Sequence, residues 1–165
     1  MQFFFLDASA LAKRYAPETG TSLINHLFAS VTSDRLCVFN VSVAEILSAL
    51  VRKRNAGGIT SAGFVQALAD FRFEVVQPIQ PRKIVADNLL VTAAFPLIES
   101  HSINATDGII LRAALDLATP LRSVGDDLVL VAADQRLIRA AQAEGLTTFN
   151  PETQSQAELD ALLGP

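Results

Sequence analysis

The chain has 165 residues, 50% of them hydrophobic, which is enough for one globular domain with a sizeable core. Its apolar residues come in short blocks, none near the ~20-residue run of a membrane-spanning helix, and Phe3–Leu6 is too short and too poor in basic flanks to be a signal-peptide core. A net charge of −4 argues against a simple DNA-binding module, and the single cysteine, Cys37, excludes an intrachain disulfide and a cysteine-built zinc site. A soluble cytoplasmic protein with no membrane partner is the expectation.

Phe3–Leu6 is an unbroken apolar run, as in a strand covered on both faces, and it stops on Asp7. Ser9 is expected to cap a short helix that ends before Pro17, although Asp7 could equally serve the helix start. A second helix is predicted from Thr21 or Ser22 through Phe28, then a buried strand at Leu36–Phe39, in which Cys37 packs. Ser42-Val43-Ala44-Glu45 has the form of a capping box, and Val43, Ile46, Leu47, Leu50 and Val51 follow at amphipathic spacing until Gly57-Gly58. Another helix is expected over Thr60–Phe71.

Glu74–Ile79 reads as a weaker strand because Pro78 cannot donate to a ladder. A long helical stretch is predicted from Pro81 to about Ser100, broken at Pro96, and then a helix from Asn104 through Leu117. Pro120–Asp127 reads as a polar loop. Leu128–Ala133 is the clearest buried strand and ends on Asp134; a helix over Arg136–Glu144, a strand over Leu146–Phe149 and an amphipathic tail helix over Thr153–Leu163 complete the chain. The alternation predicts a three-layer α/β/α sandwich with a mainly parallel central sheet, residues 1–151 forming the domain and 152–165 a helical tail of it.

Four acids stand apart. Asp7 and Asp134 each end a buried strand, Glu45 lies just after another, and Asp107 continues the apolar stripe Ile110, Ala113, Ala114 and Leu117. Singly, each has an ordinary role at a helix start. Jointly, all four fall on the carboxyl edge of a parallel sheet, where converging carboxylates repel unless a cation holds them. Hard oxygen donors suit magnesium or manganese, which can activate a water against a phosphodiester.

The ordered set Leu6-Asp7-Ala8-Ser9-Ala10-Leu11, Ser42-Val43-Ala44-Glu45, Ala105-Thr106-Asp107-Gly108 and Ala132-Ala133-Asp134-Gln135-Arg136-Leu137 resembles the PIN domains, most closely the VapC-type toxin ribonucleases. Ala140-Ala141, Glu144-Gly145-Leu146 and Phe149-Asn150-Pro151 are similar to the end of that domain. The resemblance implies a metal-dependent endoribonuclease of a toxin–antitoxin pair, with Asp7, Glu45, Asp107 and Asp134 as catalytic and metal-binding (Mg2+ or Mn2+) residues and Ser9 as a supporting polar contact. It also implies an RNA substrate, a small antitoxin partner and a homodimer. Asp126 and Asp127 are rivals to Asp134 for the fourth acid, because the loop before the strand is long.

Other readings fare worse. The turn after the first strand has no Gly-rich phosphate cradle, and Ser9 stands where a haloacid-dehalogenase-like phosphatase needs its second Asp. No G-x-S-x-G is present, and His26 and His101 have no evident partner in the sequence. The basic groups Lys13-Arg14, Arg52-Lys53-Arg54, Arg82-Lys83 and Arg136 with Arg139 read as solvated faces. The alternative function is a PIN-like module that binds RNA or protein without cutting.

Overall fold

A computed structural model describes residues 1–164. Five parallel strands, β1 (Gln2–Leu6), β2 (Leu36–Phe39), β3 (Arg82–Ile84), β4 (Asp127–Val131) and β5 (Thr147–Phe149), form one sheet in the order β3-β2-β1-β4-β5. β1 is central because its Phe-rich run can be buried on both sides: Phe4, Phe5 and Leu6 are fully covered. Successive side chains of a strand point to opposite faces, and the core divides accordingly. Phe4 and Leu6 pack with Val129, Val131 and Phe149 under one helical layer, while Phe5 packs with Cys37, Leu128 and Leu130 under the other.

The first layer holds α1 (Ala8–Tyr15), α2 (Thr21–Ser30), α3 (Asn40–Asn55), α4 (Ser61–Phe71) and α9 (Gln156–Leu163). The second holds α5 (Asn88–Ala93), α6 (Phe95–His101), α7 (Ala105–Ser123) and α8 (Gln135–Ala143). The predicted three-layer α/β/α class is therefore the observed one. The register pairs Leu6 with both Val38 and Val131, so β1, β2 and β4 end level with one another.

Several local expectations fail for identifiable reasons. Glu74–Ile79 is not a strand: α4 runs on into a π-helical turn, Arg72–Val76. Ala67, Phe71 and Val75 lie four apart and all are buried, a helical period that outweighs the β-branched pair Val75-Val76. The third strand comes later, at Arg82–Ile84, after Pro81, whose missing N–H then costs no ladder bond. It occupies the start of the stretch expected to be helical from Pro81. The rest of that stretch splits into α5, capped by Asp87 on the Leu90 N–H at 2.8 Å, and α6, which carries Pro96 in its first turn, where proline is tolerated.

The Pro120–Asp127 loop is also shorter than expected, because α7 passes through Pro120 and ends at Ser123. A proline that close to the C-terminus removes one rung from a helix already anchored by Ile110, Leu111 and Ala114. Ser42 does not cap α3, which starts two residues earlier and buries it; the reciprocal capping box is instead Ser155 with Glu158 at α9. Leu47, placed on the buried stripe of α3, is 41% exposed, whereas Ile46 and Leu50 are fully buried.

Candidate active site

Strand order places the site. The chain moves from β1 outward to β2 and β3, then returns to the other side of β1 for β4 and β5, so the order reverses between β1 and β4. Helices leaving two strands at such a point depart to opposite faces and open a crevice at their carboxyl ends. α1 leaves to one layer and α8 to the other. Asp7 follows β1 and Asp134 lies just beyond β4, one on each side of this crevice.

A cavity of about 750 Å³ opens there, and Asp7, Glu45, Asp107 and Asp134 all line it. Asp7 is the most buried, at 6% exposure; the other three are half-buried. Asp7 is the N-cap of α1, correcting the assignment of that cap to Ser9: its Oδ2 accepts from the Ser9 N–H at 2.9 Å and from the Ser9 hydroxyl. Ser9 Oγ in turn accepts from the Ala133 N–H at 2.9 Å, which ties the end of β1 to the turn after β4. Ser9 thus holds Asp7 across the crevice.

Asp134 caps α8, with Oδ1 accepting from the N–H groups of Arg136 at 2.7 Å and Leu137 at 3.3 Å. Asp107 stands in the first turn of α7, and its buried Oδ2 has no hydrogen-bond partner. Glu45 projects from the second turn of α3 rather than completing a capping box. Three helix N-termini, those of α1, α7 and α8, therefore carry an acid in or beside their first turn, where the helix dipole favours negative charge.

That help is incomplete. Burial pushes the Asp7 carboxyl above its ordinary range, with the Ser9 bonds opposing it and the charge of Asp134 adding to it. Burial, then the Asp7 charge, raises Glu45. Asp107 is pushed up to about 6, by burial first and then by Asp134 and Asp7, with Arg136 pulling the other way. The acids act on one another as like charges in one cavity. No three His, Cys, Asp or Glu side chains among the described residues stand close enough together to hold a metal ion as they are. Two of the four carboxylates, Asp7 and Asp134, are turned toward the helix N–H groups they cap.

Asp126 and Asp127 lie elsewhere. Asp127 pairs with Gln2 at the start of β1 and bonds Arg122 at 2.7 Å, and Asp126 bonds the N-terminal amine. Both sit at the opposite end of the sheet from Asp7, so they are not part of this crevice.

No family model and no curated protein matches the sequence. Solved structures do match. FitAcB from Neisseria gonorrhoeae aligns with a TM-score of 0.62 at 16% identity, over 92% of this chain and 100% of that one. VapC20 of Mycobacterium tuberculosis, a sarcin-ricin loop cleaving toxin, aligns at 0.58 and 17% identity, over 92% and 99%. PAE2754 from Pyrobaculum aerophilum aligns at 0.51 and 18%, over 96% of each chain. The chain has the PIN fold.

Within this PIN fold the cavity has a second half that the sequence did not reveal. Lys13 is 2% exposed, and its ammonium bonds Glu18 at 2.9 Å and Glu152 at 2.5 Å. Burial works to lower its pKa, but the two carboxylates outweigh that and hold it above the ordinary lysine range. Lys53 of α3 also pairs with Glu18, so that glutamate clasps α1 to α3. Ser9, Ala12 and Lys13 lie at i, i+3 and i+4, a spacing that puts Lys13 on the same face of α1 as Ser9. The two histidines do have partners, His26 with Asp160 and His101 with Glu144, each at 2.7 Å, and neither lines the cavity.

The folded-state pKa of Asp107, about 6, lies above the ordinary 3.8, so the folded chain binds the proton more tightly, and stability falls as pH rises through that window. Asp107→Asn removes the buried charge. Discounted for solvent screening and for the charge lost from the α7 N-terminus, the gain at pH 7 in EDTA is about 1 kcal/mol, or a Tm higher by roughly 2–4 °C. At about pH 3.5, below both values, the carboxyl is mostly protonated in the folded and the unfolded chain, and most of the gain should be lost. Thermal unfolding at the two pH values measures this; an unchanged Tm at pH 7, or a gain retained in acid, would contradict it.

Proposed function

We propose that this chain is a magnesium- or manganese-dependent endoribonuclease, the toxin of a toxin–antitoxin pair. The observation that carries the reading is the cavity at the reversal of strand order, lined by Asp7, Glu45, Asp107 and Asp134. The donor chemistry suits a hard cation: all-oxygen ligands, a buried Asp107 Oδ2 with no partner, and carboxyls whose burial, and then one another's charge, raises their proton affinity. VapC20, which has the same fold, is a toxin that cleaves the sarcin-ricin loop.

Asp7, Glu45, Asp107 and Asp134 would hold the ion. When bound, it would supply a water of lowered pKa and neutralise charge gathering on the phosphate oxygens. The chain's own part is positional. Ser9 fixes the Asp7 carboxylate and anchors itself on Ala133, so that Asp7 keeps one orientation. Asp134 is fixed by the α8 N–H groups it caps. Glu45 enters from α3, and the walls between Ala8, Ala12 and Ala44 are lined by methyls, which leaves room for a phosphate-bearing chain. The substrate is thus an RNA strand whose scissile phosphate lies among the acids. A small antitoxin with a basic side chain could occupy the same place, pairing with the carboxylates, and a homodimer is the assembly proposed. No helix of the described residues is long and apolar enough to cross a membrane.

Cleavage of a structured RNA with magnesium, with EDTA, and with manganese restored after EDTA tests the reading. Cutting with either metal and none in EDTA is the expected pattern. Activity that persists in EDTA would overturn metal dependence, and binding without cutting in either metal would favour a non-catalytic module.

A further inference from the structure

α3 forms one wall of the cavity and shows it a graded set of side chains. Glu45 sits near the acids, Ser48 and Ala49 follow one turn on, and Arg52 closes the row two turns from Glu45. Seven residues of helix are roughly 10 Å long, so Arg52 lies well outside the acid cluster yet on the same cavity wall. The three cations lining the cavity differ in kind. Lys13 is buried between Glu18 and Glu152, and Lys53 is held by Glu18 and the Ala16 carbonyl. The Arg52 guanidinium has neither an ion pair nor a side-chain hydrogen bond among the described residues, and its side chain is exposed. Among the described residues it is the one uncommitted cation lining the cavity, with five donors in a fixed fork that matches a phosphate.

Resting on the nuclease reading above, we infer that Arg52 binds a phosphate of the RNA strand next to the scissile one, and so sets how the strand enters the acid cluster. The need for it follows from charge. Four carboxylates repel an RNA backbone, and beside the α3 wall Lys13 and Lys53 are already neutralised by glutamates, so Arg52 is the cation free on that wall to draw the flanking phosphate. Arg52 is a binding and positioning residue, since it stands apart from the reacting atoms.

The experiment uses fluorescence anisotropy with a labelled single-stranded RNA in magnesium. The protein carries Asp7→Asn to suppress cutting, with and without Arg52→Gln; Arg52→Lys is the conservative third variant. Arg52→Gln should weaken binding roughly tenfold at low salt and make the salt dependence shallower by about 0.7 in log–log slope, the loss of one phosphate contact on a single strand. Arg52→Lys should keep most of the slope while losing the fork. In cleavage by the otherwise unaltered enzyme, Arg52→Gln should act on KM more than on kcat. Equal affinity and equal slope with and without Arg52, alongside RNA cutting by the unaltered protein, would overturn the role of Arg52 and leave the nuclease reading standing. RNA neither bound nor cut would overturn both.

Discussion

Asp7→Asn is expected to slow RNA cleavage by about a hundredfold or more, ~3 kcal/mol of barrier, while the protein stays folded. The asparagine keeps the shape and, through its side-chain carbonyl, can still accept from Ser9, so the α1 cap and the link to Ala133 survive. What it loses is the most buried of the four charges. That charge is costly without a cation, as the raised pKa of Asp7 records, and useful with one. Stability in EDTA should therefore hold or rise while activity falls. A variant as active as the parent would remove Asp7 from the mechanism, and one that unfolds would show the carboxylate to be a structural cap first.

Gly108→Ala should destabilise the protein markedly while leaving every charged group of the site in place. A Cβ at Gly108 would run into Ile98 Cγ1 of α6 and lie 3.1 Å from its Cδ1, so Ile98 or the α6–α7 packing has to shift. Gly108 follows Asp107 directly, so moving α7 off α6 also displaces that carboxylate from the cavity. We expect a loss of about 2–3 kcal/mol, seen as a Tm lower by roughly 5–10 °C, together with reduced cleavage. An unchanged Tm would mean that α6 can shift freely, and that the first turn of α7 is not fixed by this contact.

Much of this architecture can be read from residues alone because burial on both faces leaves a plain mark. Phe3–Leu6, Leu36–Phe39 and Leu128–Val131 are continuous apolar blocks, and each is a strand of the parallel sheet. Asp7 and Asp134 were legible for a related reason: a carboxylate at the end of such a block falls at the sheet's carboxyl edge wherever the turn is short. β3 was hidden because it is a three-residue edge strand with only partial burial, and Val75-Val76 imitated a strand nearby. The last turn of α7, beyond the predicted end at Leu117, is hidden by Pro120, since a proline's local cost says nothing of the packing that overrides it. Lys13 and its two glutamates were invisible because Glu152 is distant in sequence and meets Lys13 only once β5 has placed it. Pairings of that kind depend on topology, not on local spacing.

The central claim, that Asp7, Glu45, Asp107 and Asp134 act together on one cation, is tested most directly by manganese titration of the unaltered protein beside its Asp107→Asn variant. Asp107 is the informative choice, because its buried Oδ2 is unpartnered and its substitution leaves both helix caps intact. The account predicts saturable binding to the parent and at least about a tenfold weaker affinity in the variant, a loss usual even for groups that only support a ligand. Equal affinity in the two proteins, or no manganese binding by the parent, would contradict it.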